Sequence, residues 1–123
     1  MAARSWLVLL AVPLWLSFAG LAWAQQDQRQ YVVVYVEFQP TQIHHGKDLL
    51  EDLQARALRS RGSINFTVLD EIDRANRFVL VELWTNAQAY QDFKNAARTQ
   101  AIIDRIEPIL GAPMDERPGN LIR

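Results

Sequence analysis

Cysteine is absent from all 123 residues, which excludes disulfide staples, thiolate catalysis, cysteine-ligated metal and a lipid-anchored leader cysteine. Histidine is scarce: the two present, His44 and His45, are adjacent. Neighbours on a helix or strand point apart, so they lack the i, i+4 spacing of a chelating pair. No third ligand type clusters near them, and no Gly-rich phosphate loop, Ser-His-Asp order or metal motif occurs elsewhere. A surplus of one charge is lacking too, since 13 Lys and Arg meet 14 Asp and Glu for a net of −1. Nothing in that balance points to nucleic acid.

A leader is present. A lone cation, Arg4, precedes an apolar stretch from Trp6 to Ala22 that is broken only by Pro13, Ser17 and Gly20 and closes on Ala22-Trp23-Ala24. That is the order of a secretory signal peptide. The stretch approaches the roughly 20 residues of a membrane anchor, but Pro13 and Gly20 weaken a continuous helix and the polar run Gln25, Gln26, Asp27, Gln28 follows at once. Residues 1–24 therefore read as cleavable, and the mature chain is expected outside the cytoplasm, periplasmic or secreted. The mature part keeps one of the four Trp, Trp84, and carries twelve Lys and Arg against fourteen Asp and Glu, a net of −2. Its 99 residues suffice for one core, near the size at which a monomer leaves much apolar surface exposed.

Residues 25–30 form a polar linker, and residues 31–111 read as the domain. Tyr31 to Phe38 is a β-branched and aromatic strand ended by Pro40. Leu49, Leu50, Leu53 and Ala57 mark a helix that stops at Gly62. A second strand over Ile64–Leu69, a polar turn over Asp70–Asn76 and a third strand over Arg77–Trp84 make a hairpin. Asn86 caps a helix bearing Ala89, Tyr90 and Phe93; a further helix carries Ile102, Ile103, Ile106, Ile109 and Leu110 and ends between Pro108 and Gly111. Residues 112–123, with Pro113, Pro118 and Gly119, read as an irregular tail with at most a short edge strand around Leu121-Ile122.

This order is that of an α+β, ferredoxin-like antiparallel sheet with helices on one face. Both faces of its strands are apolar. The first strand sets Val32, Val34, Val36 and Phe38 against Tyr31, Val33 and Tyr35, and the third sets Phe78, Leu80 and Trp84 against Val79, Val81 and Leu83. Helices on one side cannot bury both faces, and the economical second layer is the same sheet of another copy, a homodimer with sheets face to face.

The runs Gly62 to Val68, Asn76-Arg77-Phe78 through Glu82-Leu83-Trp84, and Ala87 to Phe93 resemble the antibiotic biosynthesis monooxygenase (ABM) family, including its quinol monooxygenase-like members. The likeness spans about Tyr31 to Leu110. It implies a dimeric α+β barrel, and an oxidoreductase that uses dioxygen on a small electron-rich phenol or hydroquinone without cofactor or metal. In that chemistry the substrate is deprotonated, its anion reduces dioxygen, and the radical pair recombines at carbon to give a quinone. Many quinol-type members carry a helical His nine residues after the Trp, where this chain has Phe93.

Four residues are candidates for the chemistry: Trp84 to contact substrate, Glu82 as a base whose pKa burial would raise, and His44 or His45 as a base folded over the cavity mouth. Tyr35 and Tyr90 could hydrogen-bond a phenol, with Phe66 and Phe93 as apolar substrate contacts. Each has a plainer reading: a core aromatic, a Glu paired with an Arg, or His on a solvated helix start. The competing function is a non-catalytic dimeric module that holds a hydrophobic small molecule in the cell envelope.

Overall fold

The computed structural model describes residues 27–122, so the signal peptide expected over 1–24 and the start of the linker lie outside the described residues. Strand β1 (Gln30–Phe38) leads through a 3-10 turn (Pro40–Gln42) into helix α1 (Ile43–Leu58). The hairpin β2 (Ser63–Glu71) and β3 (Arg74–Trp84) follows, then helices α2 (Ala87–Asn95) and α3 (Ala97–Ile106). A second 3-10 turn (Glu107–Ile109) passes into β4 (Leu110–Gly119). The sheet is ordered β2-β3-β1-β4 with every pair antiparallel, the α+β ferredoxin-like arrangement read from the alternation of strands and helices. None of the helices among the described residues is long and apolar enough to cross a membrane.

Period-2 alternation sorts the strands. Val32, Val34, Val36 and Phe38 of β1, Phe66 of β2 and Phe78, Leu80 and Trp84 of β3 turn to the helices and are buried with Leu49, Leu50, Leu53 and Ala57 of α1, Tyr90 and Phe93 of α2 and Ile106 of α3. No helix among the described residues covers the opposite face. On it Tyr35 is 41% exposed and Leu69 49%, with Tyr31, Val33, Val79, Val81 and Leu83 half-buried.

Two glycines set how closely the layers approach. A Cβ on Gly46, in the second turn of α1, would stand 2.5 Å from the Phe38 ring. Gly62 has φ 81°, which only glycine adopts freely, and a Cβ there would meet Ala89 Cβ at 2.5 Å and Thr85 Oγ1 at 2.7 Å. It turns the chain from α1 into β2 against the start of α2, where Asn86 Oδ1 accepts the Ala89 N–H at 2.8 Å.

The last third departs from expectation. Helix α3 stops at Ile106, because Pro108 lacks the N–H an α-helix needs, so Ile109 falls in the 3-10 turn and Leu110 opens β4. The fourth strand comes earlier and is longer than the one expected near Leu121-Ile122. It is an edge strand, with one neighbour and a bulge between its pairings to Tyr35 and Glu37, which is why it tolerates Pro113 and Pro118. The hairpin turn is also tighter: the strands run to Glu71 and resume at Arg74, leaving Ile72 fully exposed at the tip.

Candidate functional site

Glu82 is the one charged residue buried among those described, at 4% exposure. Strand alternation puts it on the helix-covered face between Leu80 and Trp84, and register sets Val32 and Phe66 on either side. Its Oε2 accepts the Trp84 indole N–H at 2.9 Å. Burial is the main influence on its acidity and pushes the pKa up to about 7, aided by the negative charge of Glu116; the Trp84 hydrogen bond and the Lys94 charge pull the other way. The carboxyl is therefore poised to exchange a proton near neutrality.

Trp84 is fully enclosed. Phe93 stacks on it with centroids 4.8 Å apart, Tyr90 lies at 6.1 Å, and Phe66 packs edge-on against Phe93 at 6.2 Å. From α2, Tyr90 and Lys94, one turn apart, reach across to Glu116 of β4. The tyrosine hydroxyl donates to Glu116 Oε1, and the Lys94 ammonium bonds both carboxylate oxygens at 2.9 Å. Burial and then the Glu116 bond drive the Tyr90 hydroxyl well above its ordinary pKa, so it remains a neutral donor.

These groups surround a cavity of about 50 Å³ between the sheet and α2 and α3. Glu82, Tyr90, Phe93, Lys94 and Glu116 line it, with Met114 of β4, Thr99 and Ile103 of α3, and Val34, Leu53 and Leu80. Thr99 is fully buried and its hydroxyl has no hydrogen-bond partner among the described residues. The residues that line the cavity thus include apolar side chains, a proton-exchanging carboxyl and a threonine whose hydroxyl is unused, with the Tyr90–Glu116–Lys94 clasp on one side.

Of the residues expected from sequence, Glu82, Tyr90 and Phe93 come together at this cavity. Trp84 is not among the residues that line it; its indole N–H donates to the Glu82 carboxylate. Phe66 likewise supports Phe93 without reaching the cavity. Tyr35 faces the opposite side of the sheet, beneath the Arg117 guanidinium 5.0 Å from its ring. His44 and His45 are exposed on the first turn of α1, beyond the Phe38 end of β1, whereas Glu82 pairs with Val32 near the other end. Six strand residues, roughly 20 Å, separate the two places, so neither His meets Glu82.

Thr99, Lys94, Met114 and Glu116 were not anticipated. A signal existed for Thr99, which stands three, four and seven residues before Ile102, Ile103 and Ile106 and so continues their apolar stripe. Met114 and Glu116 lay in the segment read as an irregular tail. Among the described residues no group of three His, Cys, Asp or Glu is placed to hold a metal ion.

A family model described as antibiotic biosynthesis monooxygenase matches residues 29–105. No curated protein matches the chain. Among solved structures, a Nitrosomonas europaea protein named for the same family superposes with a TM-score of 0.74 at 18% identity, over 79% of this chain and 93% of its own. SnoaB of Streptomyces nogalater, described as a cofactor-independent oxygenase, superposes at 0.71 with 14% identity over 78% and 95%. Rv0793 of Mycobacterium tuberculosis gives 0.73 with 13% identity over 77% and 96%. At these identities the likeness is one of fold.

Proposed function

The chain belongs to the antibiotic biosynthesis monooxygenase family, and on that premise we propose that it oxygenates a small phenol or hydroquinone with dioxygen, using Glu82 as its base. The observation that carries this reading is a buried carboxyl, its pKa pushed up to about 7, lining a cavity beside apolar side chains and the Tyr90, Lys94 and Glu116 cluster. Ionised Glu82 takes the phenolic proton. The phenolate passes one electron to dioxygen, and the phenoxyl and superoxide so formed join at a ring carbon. The resulting peroxide anion recovers the proton from Glu82. Removal of the hydrogen at that carbon by Glu82, with loss of hydroxide and its protonation, leaves a quinone and water. One phenol and one dioxygen account for every atom and electron. A bound ring that displaces water from the site favours the charge transfer, and Tyr90, whose hydroxyl stays neutral, lines the same cavity.

The cavity at about 50 Å³ holds water or dioxygen, while a benzene ring needs about 150 Å³. Ring entry therefore requires the Lys94–Glu116 pair and Met114 to swing outward. Both charged partners are about a third exposed, where an ion pair is worth about 1 kcal/mol or less.

A second reading has its own observation: Phe93, stacked on Trp84, puts an inert ring where the helix could carry a base, which suits a module that only holds a hydrophobic ligand. Oxygen uptake with a hydroquinone panel decides between the two. Turnover above autoxidation is expected for the wild type and for the His44/His45 double alanine variant, with at least tenfold loss in Glu82→Gln. No turnover for any substrate would leave the binding module. Export of the domain, read from residues 1–24, and pairing of two copies through the uncovered sheet face belong to the same proposal. Mass spectrometry of the released protein, showing a chain that begins near Gln25, would test export.

A further inference from the structure

A helical threonine ordinarily satisfies its hydroxyl on the carbonyl three or four residues earlier; for Thr99, in the first turn of α3, those carbonyls belong to Ala96 and Asn95, ahead of the helix. Thr99 uses neither: it is 0% exposed, and its Oγ1 has no partner among the described residues. An unmet buried hydroxyl weighs against folding, and valine, nearly the same shape, would avoid the cost. Thr99 is one of the residues that line the cavity, as Glu82 is. Those two groups come from different walls, β3 and α3, so a ligand that touches Glu82 with one oxygen has a second polar contact only if it carries another.

We propose that Thr99 is the specificity-determining residue of this site, binding the second oxygen of a dihydroxyarene whose first hydroxyl meets Glu82. The inference rests on the phenol-oxygenase reading for its ligand class but concerns binding alone. A monophenol leaves Thr99 unpaired, whereas a diphenol satisfies both groups. A site built around a substrate hydroxyl discriminates strongly against the analogue lacking it, because its own polar group is then stranded.

The test is calorimetry without oxygen, so that binding is read apart from turnover. Hydroquinone and catechol are compared with 4-methylphenol and 2-methylphenol, in which a methyl replaces the second hydroxyl at similar size. Wild type is expected to bind at least one diphenol about tenfold or more tightly than its methyl counterpart. Thr99→Val should lose that preference and Thr99→Ser retain it. Thermal melts of the unliganded proteins add a readout that lost packing would move the other way: Thr99→Val should melt at the same or a higher temperature than wild type. A diphenol preference that survives in Thr99→Val, equal or absent binding of both classes by wild type, or a lower melting temperature for Thr99→Val would each overturn the proposal. Absent oxygen uptake alongside an intact Thr99-dependent preference would instead overturn only the oxygenase reading.

Discussion

Burying an ionisable carboxyl ties stability to proton binding at Glu82. Unfolded, the group titrates near 4.5; folded, near 7. Between those values the folded chain holds a proton that the unfolded chain has released, so its contribution is fully present below about pH 4.5, is lost as pH rises to about 7, and is level above. Glu82→Gln keeps an acceptor for the Trp84 indole and has no charge to bury. It should exceed wild type in stability at pH 8 by up to about 3 kcal/mol and match it more closely at pH 4, as read by urea unfolding. An equal gap at both pH values would show that the carboxyl does not titrate there. Trp84→Phe removes the hydrogen bond that holds the carboxyl down, so the pH at which oxygen uptake rises should move upward. That outcome would separate a positioning role from substrate contact. Glu82 was legible as a charge between apolar strand neighbours, and so was the face of Trp84; what stands in front of that ring, here Phe93 and Tyr90, was not, because strand alternation fixes a residue's face alone.

Elements in this fold are held at their ends as much as along their lengths. Asn86→Ala removes the acceptor for the Ala89 N–H and should cost about 1 kcal/mol. Gly46→Ala would drive a methyl into the Phe38 ring, an overpacking expected to cost about 1–3 kcal/mol. Thermal or denaturant unfolding checks both, and a neutral Gly46→Ala would mean that α1 rides higher over the sheet. The elements legible in sequence were those with a strong period: β1 and β3 from their apolar runs, α1 from Leu49, Leu50, Leu53 and Ala57. Strand β4 was not, since its sequence LGAPMDERPG carries two prolines, three charges and no β-branched residue. An edge strand gains its order from backbone pairing to β1, which composition does not display. Missing β4 hid Met114 and Glu116, and with them the clasp of the cavity.

Seen as a whole, the domain has one covered and one bare sheet face. The bare face carries Tyr31, Val33, Tyr35, Leu69, Val79, Val81 and Leu83, an apolar area of the kind that associates. Light scattering is expected to give a dimer, and Val81→Lys, at the middle of that face, to halve the mass while leaving the helix-side core intact. A monomeric wild type at micromolar concentration would contradict the two-faced argument. The two prolines of β4 carry a further consequence for such assembly. Pro118 sits opposite Val32 and Pro113 in the bulge of the strand paired to β1, so this edge strand carries two positions with no N–H to offer. A head-to-tail ribbon would have to join β2 of one copy to β4 of the next, and the β4 rim is a poor template for it. Contacts that remain, face on face or β2 on β2, are each two-fold and self-limiting. The same residues that obscured the fourth strand in the sequence thus bias the protein toward finite particles over fibres.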